Sequence, residues 1–148
     1  MALIDLITED VIKLPIASTS KPEVIRELAE LLYKAGKIDD VEPVYDGLMK
    51  RESLGSTGLE NGIAVPHCKT AAVKELTLAL GLAPQGIEFE SIDEQPSNLF
   101  FCMLAPPDQS GPHIEALAEI ARMTQSQAFC RTLISSATPK EVVELFGE

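Results

Sequence analysis

A histidine that follows a glycine- and hydroxyl-rich segment is the part of this chain best suited to chemistry. His67 comes directly after Pro66, and Arg51 begins the same stretch. Neutral imidazole is a good nucleophile toward phosphorus near neutral pH, because its unperturbed pKa is about 6.5. A guanidinium can bind phosphoryl oxygens with two N–H donors at once. The spacing therefore predicts a site at which His67 carries a phosphoryl group while Arg51 binds its oxygens.

The segment between these two residues should form a loop, because it contains glycines at positions 55, 58 and 62. We predict that Ser56 and Thr57 offer hydroxyl donors to the phosphoryl group. Glycine lets backbone N–H groups approach an anion closely, so Gly58 is assigned the same role. Glu60 is a weaker candidate for a supporting role, since an acidic side chain in a loop is as often simply solvated.

The second histidine, His113, follows Pro112, which is typical of the first turn of a helix. The positive end of the helix dipole lowers the pKa of a histidine there and favours the neutral ring. His113 could donate an N–H to a phosphoryl oxygen or hold His67 in its reactive tautomer. The alternative is a plain surface residue at a helix start.

Cys68 next to His67 suggests two other kinds of site. Neighbours along a strand point to opposite faces, so His67 is badly placed to activate a Cys68 thiolate. A zinc site built from His67, Cys68, Cys102 and His113 lacks any recognised ligand spacing. Cys102 and Cys130 lie in apolar runs and are interpreted as core thiols. We therefore expect neither a metal nor any other cofactor.

Composition limits the partners and the compartment. The formal net charge is −11, which argues against nucleic acid and favours a basic protein partner. The apolar runs are far shorter than the ~20 residues needed to span a bilayer, and the N-terminus does not resemble a signal peptide. Three widely spaced cysteines without a CxxC pair fit reduced thiols. We expect a cytoplasmic protein that does not insert into membranes.

Helix signals are clear at several places. A capping box, Ser20 to Glu23, opens an amphipathic helix that Gly36 ends, and Asp39 or Asp40 opens a second helix that finishes near Arg51. A third helix begins at Pro112, a fourth lies around residues 128–134, and a fifth begins at the Thr138–Glu141 capping box. The apolar face of the third helix is predicted to contain Ile114, Leu117, Ala118 and Ala121. Residues 3–6 should form a helical turn.

Strands are predicted at residues 11–16, 63–65, 76–82, 87–89 and 99–105, with a turn at 84–86. The last of these is continuously apolar, as expected of a central strand covered on both faces. Helices precede, interrupt and follow the strands. The sequence thus predicts one α/β domain over residues 1–148, with a mixed central β-sheet of about five strands sandwiched between helical layers.

Three separated motifs in this chain resemble one family. The first is the segment 51–67, with arginine and glutamate, Gly-Ser-Thr-Gly, Asn-Gly and Ile-Ala-Val-Pro-His. The second is residues 89–96, and the third pairs Pro-Asp-Gln at 107–109 with His113. Together they resemble the EIIA domains of the bacterial phosphotransferase system, of the fructose/mannitol/nitrogen type (type 2). The resemblance runs from about residue 3 to residue 146.

The resemblance implies a fold and a function. Such domains have a mixed sheet flanked by helices. They accept a phosphoryl group from the phosphohistidine carrier HPr, or its nitrogen-branch counterpart, on the histidine that matches His67. They pass the group to an EIIB domain or use the phosphorylation state as a regulatory signal. Arg51 and His113 match residues that line the family's active site.

Within the family, the chain is most similar to the nitrogen-regulatory EIIA branch, because its Gly-Ser-Thr-Gly and Pro-x-Asp-Gln segments look like that branch. A fructose/mannitol-type EIIA serving sugar uptake is one alternative. A regulatory binding module of the same fold without catalysis is another, although the presence of His67 and Arg51 argues against loss of chemistry. A metal- or thiol-dependent enzyme is the third.

Overall fold

The structure is a computed structural model that describes residues 3–108 and 110–147. In this part of the chain a sheet of five strands has the order β1-β4-β5-β2, and β3 also pairs with β5. The strands are β1 (Ile12–Lys13), β2 (Ile63–Ala64), β3 (His67–Lys69), β4 (Thr77–Ile87) and β5 (Ser97–Ala105). Strands β4 and β5 are antiparallel, whereas the other pairs are parallel. The predicted mixed sheet is confirmed.

Five helices in the described residues surround this sheet: α1 (Lys21–Lys34), α2 (Val41–Ser53), α3 (Ser110–Met123), α4 (Gln127–Ile134) and α5 (Pro139–Phe146). Short 3-10 turns cover Leu3–Leu6 and Glu9–Val11. Asp40, rather than Asp39, is the N-cap of α2, and its carboxylate accepts the Glu42 N–H. Thr138 caps α5 by accepting the Glu141 N–H at 3.2 Å. None of the described helices is both long and apolar enough to cross a bilayer.

Strand β5 shows how the two helical layers are held. Its side chains alternate, so that Phe100, Cys102 and Leu104 pack with α1 and α2. Leu99, Phe101 and Met103 pack with α3, α4 and α5 on the other face. All six are at most 1% exposed. Each of the leucine, phenylalanine and methionine side chains contributes about 1.5–3 kcal/mol by leaving water, so β5 anchors both layers. The prediction of a central strand covered on both faces is confirmed.

The strand predictions at 11–16, 76–82 and 87–89 are wrong in detail, and β3 lies outside every predicted strand. Strand β4 does not stop at the proposed turn but continues through residues 84–86 to Ile87, which pairs with Ser97. A register shift between Leu82 and Ile87 absorbs the irregular segment, and Gly86 takes a positive φ of 77° there. No separate strand forms at 87–89. Strand β1 is also shorter than predicted, because Val11 ends a 3-10 turn.

The buried face of α3 also differs from the prediction. Of the predicted face, Leu117 packs against the core, whereas Ile114 is 64% exposed and Ala118 and Ala121 are exposed as well. The face turned to the sheet is formed by His113, Ala116 and Ile120. Both sets have helical spacing, so periodicity could not decide between them. The packing of α3 against β5 determined which face is buried, and His113 lies on that face.

Candidate phosphoryl-transfer site

Strand β3 determines the direction in which His67 points. His67 is in register with Met103 and Cys68 with Leu104 on the neighbouring β5. Paired residues share a face of a sheet, and successive residues alternate. His67 therefore lies on the α3 side, while Cys68 lies on the α2 side, where its Sγ would be 3.2 Å from a Cβ at Gly47. The prediction that these neighbours point apart is confirmed.

A backbone carbonyl fixes the tautomer of His67. Its Nδ1 lies 2.7 Å from the carbonyl oxygen of Val65. A carbonyl oxygen only accepts hydrogen bonds, so Nδ1 must hold the proton that is donated. In the neutral ring the other nitrogen, Nε2, then has its lone pair available. The half-buried His67 thus presents Nε2 as its nucleophilic atom.

The second histidine lies beside the first. The ring centroids of His67 and His113 are 5.2 Å apart, with an interplanar angle of 74°. His113 is only 6% exposed, and its buried Nε2 has no hydrogen-bond partner among the described residues. Burial lowers the pKa of His113, and the nearby His67 and Lys69 lower it further. A neutral ring with an unpaired buried nitrogen is a site that a bound group could complete.

Arg51 lies in the last turn of α2, one turn beyond Gly47 and on the same helix face. Since Gly47 faces Cys68 on β3, this face of α2 looks toward the strand that holds His67. The Arg51 Nη1 donates to the carbonyl oxygen of Gly55 at 2.8 Å. That bond uses one of the five N–H donors of a guanidinium. Arg51 is therefore oriented by the loop that follows it.

The donors of that loop make hydrogen bonds within the protein. The Ser56 hydroxyl donates to the carbonyl of Phe89 at 2.8 Å, and the Gly58 N–H donates to Ser56 Oγ at 3.0 Å. Both the N–H and the hydroxyl of Thr57 donate to the carboxylate of Glu52. A phosphoryl group could use these donors only if the internal bonds exchanged. Phosphoryl binding by Ser56, Thr57 and Gly58 stays a prediction.

Gly58 has a packing reason to be glycine. A Cβ there would lie 2.7 Å from Ser91 Oγ and 3.1 Å from the Phe89 carbonyl oxygen. Glu60 is exposed and lies at the rim of a shallow surface depression with Leu59 and Ile92. That depression does not include His67, and the supporting role of Glu60 also stays a prediction.

The three thiols are not reactive candidates. Burial raises the pKa of Cys68 to about 11 and also raises the pKa of Cys102 and Cys130. A thiol with such a pKa is protonated near neutral pH, and the thiolate is the nucleophilic form. In the described residues no group of three or more histidine, cysteine or acidic side chains is arranged to hold a metal ion. The geometry thus favours histidine chemistry at His67.

A known protein family covers nearly the whole chain. The family model described as "Phosphoenolpyruvate-dependent sugar phosphotransferase system, EIIA 2" matches residues 5–148. The chain belongs to this EIIA family. Its members are phosphotransfer proteins, and in this EIIA the rings of His67 and His113 lie side by side.

Two relatives represent the two branches that the motifs suggested. The fructose-specific EIIABC component of Bacillus subtilis is 33% identical over all of this chain, which spans 23% of that protein's length. The nitrogen regulatory protein of Klebsiella oxytoca is 31% identical over all of this chain and 91% of its own length. This EIIA is therefore similar to both sugar-specific and nitrogen-regulatory proteins.

Solved structures confirm the fold. The nitrogen regulatory protein IIA-Ntr of Neisseria meningitidis matches with a TM-score of 0.88 and 29% identity over 97% of both chains. The mannitol enzyme IIA of Escherichia coli, solved in complex with phosphorylated enzyme IIB, matches with a TM-score of 0.80 over 95% of this chain and 96% of that one. At 24% identity, this second likeness shows the fold alone.

Sequence reasoning missed two features of the site. Lys69 shares the face of His67, because it lies two residues further along β3, and its charge acts on His113. Because side chains alternate along a strand, the spacing of two residues between His67 and Lys69 could have predicted that they share a face. Glu52 was overlooked because it follows Arg51 in a helix end, where an acidic side chain is usually solvated. In this EIIA it is buried and holds the Thr57 backbone.

Proposed function

We propose that this chain is a phosphocarrier that holds a phosphoryl group on Nε2 of His67. The observation that carries the proposal is the 2.7 Å hydrogen bond from Nδ1 of His67 to the Val65 carbonyl. It commits the proton to Nδ1 and leaves the Nε2 lone pair to attack phosphorus. Residues 1–148 would act together as one EIIA domain.

The transfer balances without an added acid or base. The Nε2 lone pair forms a bond to phosphorus while the P–N bond of the donor's phosphohistidine breaks, and the electron pair returns to the donor nitrogen. The His67 ring then holds a proton on Nδ1 and phosphorus on Nε2, so it carries positive charge. The Val65 carbonyl stabilises that charge through the same hydrogen bond. Neutral imidazole leaves when the group moves on to the acceptor.

His113 and Arg51 would stabilise the transferred oxygens. The buried Nε2 of His113 has no partner among the described residues, and the ring lies 5.2 Å from that of His67. Because the pKa of His113 is lowered, its neutral ring can donate an N–H to a phosphoryl oxygen at neutral pH. Arg51 would supply a permanent positive charge from the C-terminal end of α2.

The donor would be an HPr-like phosphocarrier protein and the acceptor an EIIB domain or a regulatory protein. The net charge of −11 supports a basic docking face on the donor. The EIIABC name of the Bacillus relative, and the complex with phosphorylated enzyme IIB of the mannitol protein, support an EIIB acceptor. We place this exchange in the cytoplasm.

We favour the nitrogen-regulatory branch. The Klebsiella regulatory protein is covered over 91% of its length, and the Neisseria IIA-Ntr structure superposes with a TM-score of 0.88. The Bacillus fructose relative, at 33% identity, favours sugar uptake as the second candidate. Transfer of label to a fructose-type EIIB domain would favour sugar uptake, whereas retention of label in its presence would favour the regulatory branch.

Phosphorylation in vitro tests the proposal. The protein is incubated with labelled phosphoenolpyruvate, enzyme I and either HPr or the nitrogen-branch carrier. We expect the wild-type protein to carry acid-labile, base-stable label and to give the ³¹P NMR signal of a histidine ring phosphorylated on Nε2. The label should be lost in His67→Ala. Label that survives His67→Ala would overturn the assignment of His67. A signal from Nδ1-phosphohistidine would overturn the tautomer argument.

A purely regulatory binding module is separated from a carrier by a second experiment. Partners are captured with the wild-type protein and with His67→Asp, which places a negative charge at the proposed carrier position. A phosphorylation-dependent carrier should show different partner sets for the two proteins. Identical sets together with no detectable labelling would favour the non-catalytic module.

A further inference from the structure

One carboxylate of this chain is buried next to the proposed site without a role in the chemistry described so far. Glu52 is 7% exposed, and the other acidic side chains of the described residues are all more exposed. Burial of an unpaired carboxylate is strongly unfavourable, especially in a chain with net charge −11. The position therefore needs an explanation in terms of what the carboxylate binds.

Glu52 links the start of α1 to the loop that follows α2. Its Oε2 lies 2.8 Å from the Nζ of Lys21, the first residue of α1. Both carboxylate oxygens accept from the Thr57 N–H, and the Thr57 hydroxyl donates to Oε1. Lys21 also lies over the ring of Phe89, with Nζ 4.9 Å from its centroid. The carboxylate is thus paired with a cation and bound by donors of the loop.

The Thr57 backbone continues this network to the histidine. The Thr57 carbonyl accepts the Val65 N–H at 3.0 Å, and the Val65 carbonyl accepts from Nδ1 of His67. On the other side, the loop carbonyl of Gly55 accepts from Arg51. The same loop therefore positions the carbonyl that selects the His67 tautomer and the carbonyl that orients the guanidinium.

We propose that the Lys21–Glu52 ion pair is the positioning device of the phosphotransfer site. It fixes the backbone of residues 55–57, and through that backbone it fixes the His67 ring and the Arg51 guanidinium. Glu52 is a positioning residue, because it acts through Thr57 and Val65 rather than on the phosphoryl group. The inference rests on the proposed function of His67 as the carrier.

The decisive variant is Glu52→Gln, which keeps the shape of the side chain but removes its charge. We expect kcat for phosphoryl transfer to fall about tenfold while KM changes little, because small misplacements of reacting groups are costly. The matched control is Glu42→Gln. Glu42 is exposed and paired with Arg26 at 2.7 Å, so the Glu42→Gln variant loses an ion pair far from the loop. We expect the control to transfer phosphate at the wild-type rate.

A spectroscopic readout tests positioning directly. In ¹⁵N NMR the two ring nitrogens of His67 report the tautomer, and the Arg51 Nε–H signal reports guanidinium order. We expect Glu52→Gln to shift His67 toward a mixture of tautomers and to broaden the Arg51 signal. Lys21→Arg, which keeps the charge, should preserve both signals. Lys21→Met should disturb both signals, because it leaves the Glu52 carboxylate without its cation. The double variant with Glu52→Gln also lacks that negative charge, so it should transfer phosphate faster than Lys21→Met alone.

The outcomes separate this inference from the proposed function. Wild-type kcat and unchanged His67 and Arg51 signals in Glu52→Gln would overturn the positioning role, even if the variant melts at a lower temperature. If the wild-type protein accepts no phosphate, the proposed function fails, whereas the NMR signals still test positioning. If Glu52→Gln does not fold, Lys21→Met removes the other partner of the ion pair. Unchanged His67 and Arg51 signals in that variant would overturn the inference.

Discussion

The two faces of the sheet differ in whether a buried polar side chain has hydrogen-bond partners. On the α1/α2 face, Glu52 is matched by Lys21 and by two donors of Thr57. On the α3 face, the Nε2 of His113 is buried without a partner among the described residues. A satisfied network holds its segments in place, whereas an unsatisfied buried atom costs free energy until something binds it. Under the proposed function, the first face would support the site and the second would bind the phosphoryl group.

The largest effect should come from removing the ring of His113, whose buried Nε2 has no hydrogen-bond partner in the described part of the chain. His113→Ala should slow phosphoryl transfer to His67 by about 10²-fold, the typical loss when one donor to a developing charge is removed. His113→Gln should recover much of the rate, because its amide can donate from a similar position. Transfer rates and melting temperatures are measured for both variants. A rate for His113→Ala within about threefold of wild type would show that the two faces do not differ as described.

A smaller effect is expected from Ser56, whose hydroxyl already donates to an acceptor within the protein. Ser56→Ala removes the bond to the Phe89 carbonyl and should lower the unfolding free energy by about 1 kcal/mol. Transfer should change by less than about threefold, whereas loss of a direct phosphoryl donor would cost about 10²-fold. Ser53→Ala is the matched control, since the exposed Ser53 hydroxyl bonds the Lys50 carbonyl at 2.6 Å. A 10²-fold loss in Ser56→Ala alone would support the predicted phosphoryl-binding role of Ser56.

The smallest effect concerns the pH dependence of stability. Because the folded-state pKa of His113 is lowered, the unfolded chain binds a proton at this residue more readily than the folded chain does. Stability should therefore be fully present above the ordinary histidine pKa of 6.5 and decline as pH falls from there toward the folded-state pKa. Urea unfolding of the wild type and His113→Gln between about pH 5 and 8 measures the difference. Equal pH profiles would contradict the lowered pKa.

The sequence was most informative where local rules apply. Asp40 and Thr138 cap their helices as the residue types predict. The apolar run of β5 is buried on both faces because its length and composition leave no polar side to expose. His67 and Cys68 point apart because alternation along a strand is a local property. Arg51 lies at the end of α2 because Gly55 and the residues after it do not continue the helix.

Local patterns were insufficient where two arrangements satisfy the same rule. The α3 sequence offers an apolar face through Ile114 and another through Ala116 and Ile120, and only packing on β5 selected the second. Likewise, residues 84–86 have turn composition, yet pairing with β5 continues beyond them to Ile87. The hydroxyls of Ser56 and Thr57 found acceptors at Phe89 and Glu52 that the segment's composition could not reveal.

By itself the sequence determined the residue types of the site, the order of the helices, and the family motifs around His67. Those depend on spacing, capping and hydrophobic pattern, which act over a few residues. The tertiary structure decided which nitrogen of His67 is available, that His113 is buried beside it, and that Glu52 is paired with Lys21. Each of these requires a backbone or side-chain partner whose position depends on the packing of other segments. For that reason the chemistry was visible in the sequence, while its positioning was visible only in the fold.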